Sequence, residues 1–313
     1  MADYKQLLNG LKMGAVSLAC GNYLCRMSPM QRHATLTAAS YSRLKRKYEK
    51  IREIFETSEH DWNQTFLIVL FRSMDSSQNR EAYERLARLV PYRVIERERN
   101  SVRAVEALLL GTSGLLSVYR DDSYIRSLKE EYFYLAQKYE LMPMRRREWD
   151  LSRCRPHNHP VLRIVQIAKL LTEHKFPVNS ILECKRCSDV EKLFAVEASE
   201  YWSNHFIPAQ TSTEVPKRIG REKCHLLGIN LVVQFQFAYA SYMGKETLHS
   251  EAMSLLEDIP AENNRFIRRW AERGVRAANA FESQALLQIA TEYCGHELCE
   301  KCPVADYLMA SQP

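Results

Sequence analysis

Glycine and proline are scarce, ten and eleven in 313 residues. So few turn formers exclude a sandwich, barrel or propeller of many short strands and shift the expectation to helix. No run of about 18 uninterrupted apolar residues occurs, so no membrane-spanning helix and no membrane partner are expected. The nearest approach is 226–243 (LLGINLVVQFQFAYASYM), broken by Asn230, Gln234 and Gln236. Asn230 and Gln234 lie one helical turn apart, share a face and need partners, so the segment reads as a buried helix of a large core. The opening MADYKQLLNGLKMGAV lacks a basic stretch followed by an apolar one, which predicts no secretory signal and a cytoplasmic location. P-loop, GxGxxG, GxSxG and HExxH patterns are all missing.

What is present is ordinary in bulk and uneven in placement. A composition 46% hydrophobic and 26% charged excludes wholesale disorder. The net charge is +6, but three segments (43–52, 141–163 and 263–276) carry +5, +4 and +4, which leaves −7 for the remainder. Positive charge concentrated in this way suits a polyanion partner if the segments fold onto one face, and solvated helix faces if they do not. Nine cysteines, an odd number crowded toward the C-terminus, point to reduced thiols or metal ligands over a disulfide framework.

The spacing predicts an all-α, multi-helix globular domain with mostly antiparallel neighbours and a Cys-rich C-terminal tail. Within 34–57, Leu36, Tyr41, Leu44, Tyr48, Ile51 and Phe55 fall on one helix face, with the basic run opposite. Asp61 and Gln64 form an N-cap pair before FLIVLF, which reads as helix, with a buried strand as the alternative. Further helices are expected over 80–89, 102–110 (stopped at Gly111), 125–139, 160–174, 224–243 (closed by Gly244), 245–257, from Pro260 onward, and 282–293 as the last. Ser180 with Glu183 and Ser188 with Glu191 have capping-box spacing. The two-proline segment 207–220 is expected as a loop or hinge. It would join a helical region, residues 1–206 with the Arg-rich loop, to a second region, residues 221–313 with the Cys tail, unless the whole is one continuous domain.

Two segments could carry chemistry. In Cys294-x4-Cys299-x2-Cys302-Pro303, three thiols have metal-ligand spacing and suit a zinc ion or an iron–sulfur cluster. The fourth ligand must come from elsewhere, with His296 and the pair Cys184 and Cys187 as candidates. The plain alternative is three buried or surface thiols. The second segment follows Arg145, Arg146 and Arg147 and runs from Trp149 through Arg153, Arg155, Pro156, Asn158 and Pro160 to Arg163. Guanidinium forks before a helix N-terminus suit phosphate or carboxylate; alternatively, these arginines and Asn158 satisfy carbonyls in a buried loop. Glu197, Glu200 and His205 read as a helix-end network.

Several stretches resemble the C-terminal, helical region of the bacterial domain-of-unknown-function family 2851: DWNQTF from Asp61, EALLLGTSGLL from Glu106, the Arg-x-Arg-Pro-x-Asn-x-Pro loop, VEASEYW from Val196, IPAENNRFIRRW from Ile259, and ANAFESQALLQIATEYC running into the tail, together spanning about 15–304. The resemblance implies the three tail cysteines as members of the family pattern and no settled activity. Longer members carry an N-terminal, strand-rich region resembling restriction-type nucleases, with Gly-Pro-Asp and Glu-Ile-His motifs that do not occur here. The basic segments taken with this resemblance lead to the expectation of a helical module associated with nucleic acid, companion to a nuclease-like domain or subunit, with this chain alone not expected to cut nucleic acid. The alternative is a structural or protein-interaction module with no nucleic-acid role; an independent small-molecule enzyme is the weaker third.

Overall fold

In the computed structural model, residues 20–75, 78–152, 154–175 and 177–310 are described. Among them the chain is helical nearly throughout, and the sheet is one two-stranded antiparallel pair, His205–Ile207 with Gln210–Thr211. The all-α expectation holds. The chain forms two compact units, Met1–Lys50 with Gln236–Pro313, and Ile51–Phe235. The segment 207–220 falls inside the second unit, where it carries the second strand and a bridge from Arg218 to Glu197.

In the 51–235 unit, Trp62–Met74 is the FLIVLF segment, and it is a helix. Asp61 caps it by accepting from the Asn63 N–H at 2.7 Å. Gln64 does not complete a capping box. It ties two neighbouring segments instead, donating to the Ala87 carbonyl and accepting from the Tyr92 N–H. Phe66 through Phe71 are all buried, as expected of a helix that is apolar on every side. Burying each such side chain contributes about 1.5–3 kcal/mol. Arg80–Leu89 packs against this helix. Val102–Thr112 is a second buried centre, in contact with both Ser123–Tyr139 and Pro160–Glu173.

Gly111 does not stop its helix. A Cβ there would overlap the Tyr132 ring, so the glycine permits close approach of Ser123–Tyr139. The residue with left-handed backbone is Gly114, at φ 74°, where a side chain would strike the Met144 carbonyl. Ser180 and Ser188 both lie within helices, Pro177–Leu182 and Cys187–Phe194, so neither is an N-cap. The 226–243 segment is helical, with a π segment Gly228–Val233 between Arg221–Leu227 and Gln234–Met243. Asn230 and Gln234 do pair, at 3.4 Å.

In the other unit, Leu36 and Leu44 on Pro29–Thr57 are buried, whereas Tyr41 is exposed. Ala280–Gln288 packs against Glu246–Asp258 and Arg265–Ala271. The last of these starts at an Asn264 cap and not at Pro260, which instead bridges to Asn279. Trp270 is fully buried and donates to the Leu286 carbonyl at 3.0 Å. A π segment Ile289–Cys294 follows, and Pro303–Ala310 adds a helix beyond the expected last one.

Candidate functional site

The arginine-rich segment is built on two anchors. Met144 is buried and its N–H donates to the Thr112 carbonyl at 2.7 Å. Trp149 is buried edge-on to Tyr83 and donates to the Ser113 carbonyl at 2.9 Å. Between them a short 3-10 turn, Arg146–Glu148, throws its side chains outward. Arg146 turns back to donate to the Trp149 carbonyl. Arg145 and Arg147 are exposed and, with Arg85, Met142, Pro143 and Glu148, line an open pocket of about 590 Å³. Arg85 pairs with Glu148 at 2.9 Å. Three arginines and one glutamate thus line one pocket.

The second half of the segment behaves differently. Arg153 lies outside the described residues. Arg155 is exposed. Arg163 is buried, donating to Asn158 Oδ1 at 2.8 Å and Gln166 Oε1 at 2.9 Å, and Gln166 in turn donates to the Lys217 carbonyl. Asn158 and Arg163 therefore brace the loop against its helix through side-chain amides, not by satisfying backbone carbonyls in a buried loop, since 155–158 are exposed. His159 N-caps Pro160–Glu173 through Nδ1, which accepts from the Val161 N–H. Burial, helped by Arg146, pushes the His159 pKa down to about 4, so the ring stays neutral. Lys223, donating to the Ser73 carbonyl, is lowered to about 7 by burial and by Arg163.

Sequence reasoning passed over the most buried carboxylate among the described residues. Glu106, fully buried in the middle of Val102–Thr112, accepts from Tyr124 Oη at 2.7 Å, Ser199 Oγ at 2.7 Å and Trp202 Nε1 at 3.1 Å. Burial raises its pKa, and the three donors oppose that rise. Of the residues read as a helix-end network, Glu197 pairs with Arg218, and His205 closes the 3-10 turn Glu200–Asn204, with Nδ1 on the Tyr201 carbonyl and its ring stacked on Tyr201. Glu106 comes from the EALLLGTSGLL stretch, Ser199 and Trp202 from VEASEYW and Tyr124 from the helix Ser123–Tyr139, but nothing in these patterns says that they meet.

Cys187, Glu191 and His225 place their ligand atoms within 4.8 Å of one another. The i, i+4 spacing on Cys187–Phe194 aligns the first two, and His225 comes from Arg221–Leu227. One carboxylate oxygen takes both His225, at 2.6 Å, and Arg221, at 2.7 Å. A guanidinium already holds that oxygen, so the group is satisfied as an ion-pair network. Cys184 is buried away from it, its thiol on the Ser180 carbonyl.

At the tail, Cys294 ends the π segment, Cys299 opens a 3-10 turn and Cys302 precedes Pro303–Ala310. His296 is exposed, with Nδ1 on the Glu292 carbonyl. The thiols of Cys294 and Cys302 are raised to about 12 and about 11, chiefly by burial, with the neighbouring tail cysteines adding to the rise. Cys20, which had no place in the sequence reading, is raised to about 12 by burial and then by Cys302, Cys294 and Cys299.

The family described as "Protein of unknown function (DUF2851)" matches residues 1–265. The chain belongs to that family. Its match takes in the arginine pocket, the Glu106 network and the Cys187–Glu191–His225 group, and it ends before the 278–294 stretch and the cysteine tail, short of the span of the resemblance. No curated protein and no solved structure matches the chain. Among the described residues, no helix of this DUF2851 protein is long and apolar enough to cross a membrane.

Proposed function

We propose that this DUF2851 chain is a nucleic-acid-associated helical module that grips the phosphate backbone with Arg145 and Arg147, flanked by Arg85, Arg146 and Arg155. The observation that carries this reading is the open pocket bordered by Arg85, Arg145 and Arg147. No hydrogen bond or ion pair to another described residue occupies the Arg145 or Arg147 guanidinium. Such forks suit phosphate oxygens. Arg153, close in sequence, belongs to the same proposal. A nuclease-like domain or subunit is the partner that this chemistry would serve.

The test is binding of the full chain to single- and double-stranded DNA and RNA over a salt series. Arg145→Ala with Arg147→Ala is expected to weaken binding on every sequence and to lower the salt slope by about 2. Absence of wild-type binding at low salt would overturn the reading. A protein-interaction role is the second reading. It rests on Phe133 and Tyr134, which stand 67% and 60% exposed on Ser123–Tyr139.

A further inference from the structure

Three side chains converge on one oxygen, Oε1 of Glu191: the Cys187 thiol at 3.8 Å, His225 Nε2 at 2.6 Å and Arg221 Nε at 2.7 Å. The core fixes this meeting. Val190, Leu193 and Phe194 bury one side of Cys187–Phe194, which leaves Cys187 and Glu191, one turn apart, half-buried at its margin. Cys224 and Leu227 bury Arg221–Leu227 and set His225 at the facing margin. The two helices pack on each other. Cys187, Glu191 and His225 thus sit on helices and not on loops, the kind of support that holds a metal centre in shape. Arg221 is the loose member. Its side chain is 76% exposed, and the hydrogen bond it makes to Glu191 comes from Nε. An ion pair with so exposed a partner adds little stability and is easily given up.

We propose that Cys187, Glu191 and His225 bind one zinc ion through Sγ, a carboxylate oxygen and Nε2, with water as the fourth ligand and Arg221 displaced to solvent. The inference is independent of the nucleic-acid reading. Thiolate, imidazole and carboxylate are the three side-chain ligand types that zinc accepts, whereas magnesium and calcium take oxygen ligands and leave a thiolate aside. The geometry fits with small movements. Tetrahedral bonds of about 2.0–2.3 Å put ligand atoms roughly 3.3–3.6 Å apart. The distances here, 2.6 Å from nitrogen to oxygen and 3.8 Å from sulfur to oxygen, fall on either side of that range, and the three ligand atoms all lie within 4.8 Å of one another. Binding releases the thiol proton to water and leaves the imidazole neutral, with its proton on Nδ1. The guanidinium that holds the carboxylate in the ion-pair network is therefore a competitor of the metal. The ion ties 187–194 to 221–227 across the segment that carries the small sheet.

The experiment uses the full chain, stripped with a chelator and titrated with zinc, and metal content is read by elemental analysis. Because the tail cysteines offer thiols of their own, the readout is the difference between variants. Cys187→Ser and His225→Ala are each expected to hold one zinc fewer than the wild type. Cys184→Ser, whose thiol faces the Ser180 carbonyl, is expected to hold as many. Alkylation followed by peptide mass spectrometry reads the site on the wild type itself: zinc protects Cys187, and chelator restores its reaction. In Arg221→Ala the zinc concentration that half-protects Cys187 is expected to fall by about 2- to 5-fold, the fold-change that losing one exposed ion pair as competitor corresponds to. Zinc content unchanged in Cys187→Ser or His225→Ala, Cys187 alkylated equally with and without zinc, or half-protection of Arg221→Ala at the wild-type concentration or above would each overturn the proposal.

Discussion

Arg163 gives one arm of its guanidinium to Asn158 Oδ1, 2.8 Å away, and so fastens the Pro156–Asn158 turn to the helix that follows it. The other arm goes to Gln166. Two residues that read as ligand-binding in sequence hold the loop in shape for the exposed arginines.

Arg163→Ala is therefore expected to cost stability and not phosphate contacts. Gln166 Oε1 loses its donor in a buried site, a loss of about 1–3 kcal/mol, whereas the exposed Asn158 turns to water. Denaturant titration reads the destabilisation, and the salt slope of nucleic-acid binding should match the wild type's. A lower slope in a folded Arg163→Ala protein would move Arg163 to the contact surface.

Glu106→Ala is expected to destabilise by about 3 kcal/mol or more, because Tyr124, Ser199 and Trp202 lose a common acceptor. Glu106→Gln keeps an acceptor and costs less. The pH dependence has a definite sign. The folded pKa lies above the ordinary 4.5, so the folded state holds this proton more tightly than the unfolded one. Stability is fullest below the unfolded value and falls as pH rises from there to the folded value. The wild type should therefore lose stability relative to Glu106→Gln on raising pH above 4.5, as measured by urea unfolding at successive pH values.

His159 titrates with the opposite consequence. The Val161 N–H donates to Nδ1, so the ring proton sits on Nε2, which faces Tyr119 Oη at 3.0 Å. Protonating Nδ1 breaks the cap. The folded pKa, about 4, lies below the ordinary 6.5, so its contribution is full above 6.5 and is lost as pH falls toward 4. The loss is at most about 3 kcal/mol. His159→Asn, which retains a capping oxygen, should flatten this acid limb of the stability profile.

Gly111→Ala is expected to destabilise by about 1–3 kcal/mol through overpacking against Tyr132. Tyr132→Ala in the same chain should recover some of that loss, and the thermal midpoints of the four proteins in the cycle measure the coupling. Strict additivity would mean that the two helices are not in the contact described.

Legibility in the sequence followed the range of the interaction. The helix Arg80–Leu89 falls where its periodicity placed it, and Asp61 caps its helix as its position before FLIVLF implied. Asn230 and Gln234 pair because a helix sets neighbours four apart. Gln64 and Gly111 were misread for one reason. Each has a local role in sequence, capping or stopping a helix, and each is used at long range instead, Gln64 as a tie to 87–92 and Gly111 as a seat for Tyr132.

The all-helical character, the family and the tail spacing follow from the chain read in order, because propensity, periodicity and motif spacing act over a few turns. Three-dimensional packing alone decides which arginines are free. Arg145 and Arg147 project from a turn pinned by Met144 and Trp149, while Arg163, in the same basic run, is drawn inward by Asn158 and Gln166. It also decides that Glu106 meets Trp202. Those partners lie far apart along the chain. Their proximity arises from how helices pack, which no local pattern of residues encodes.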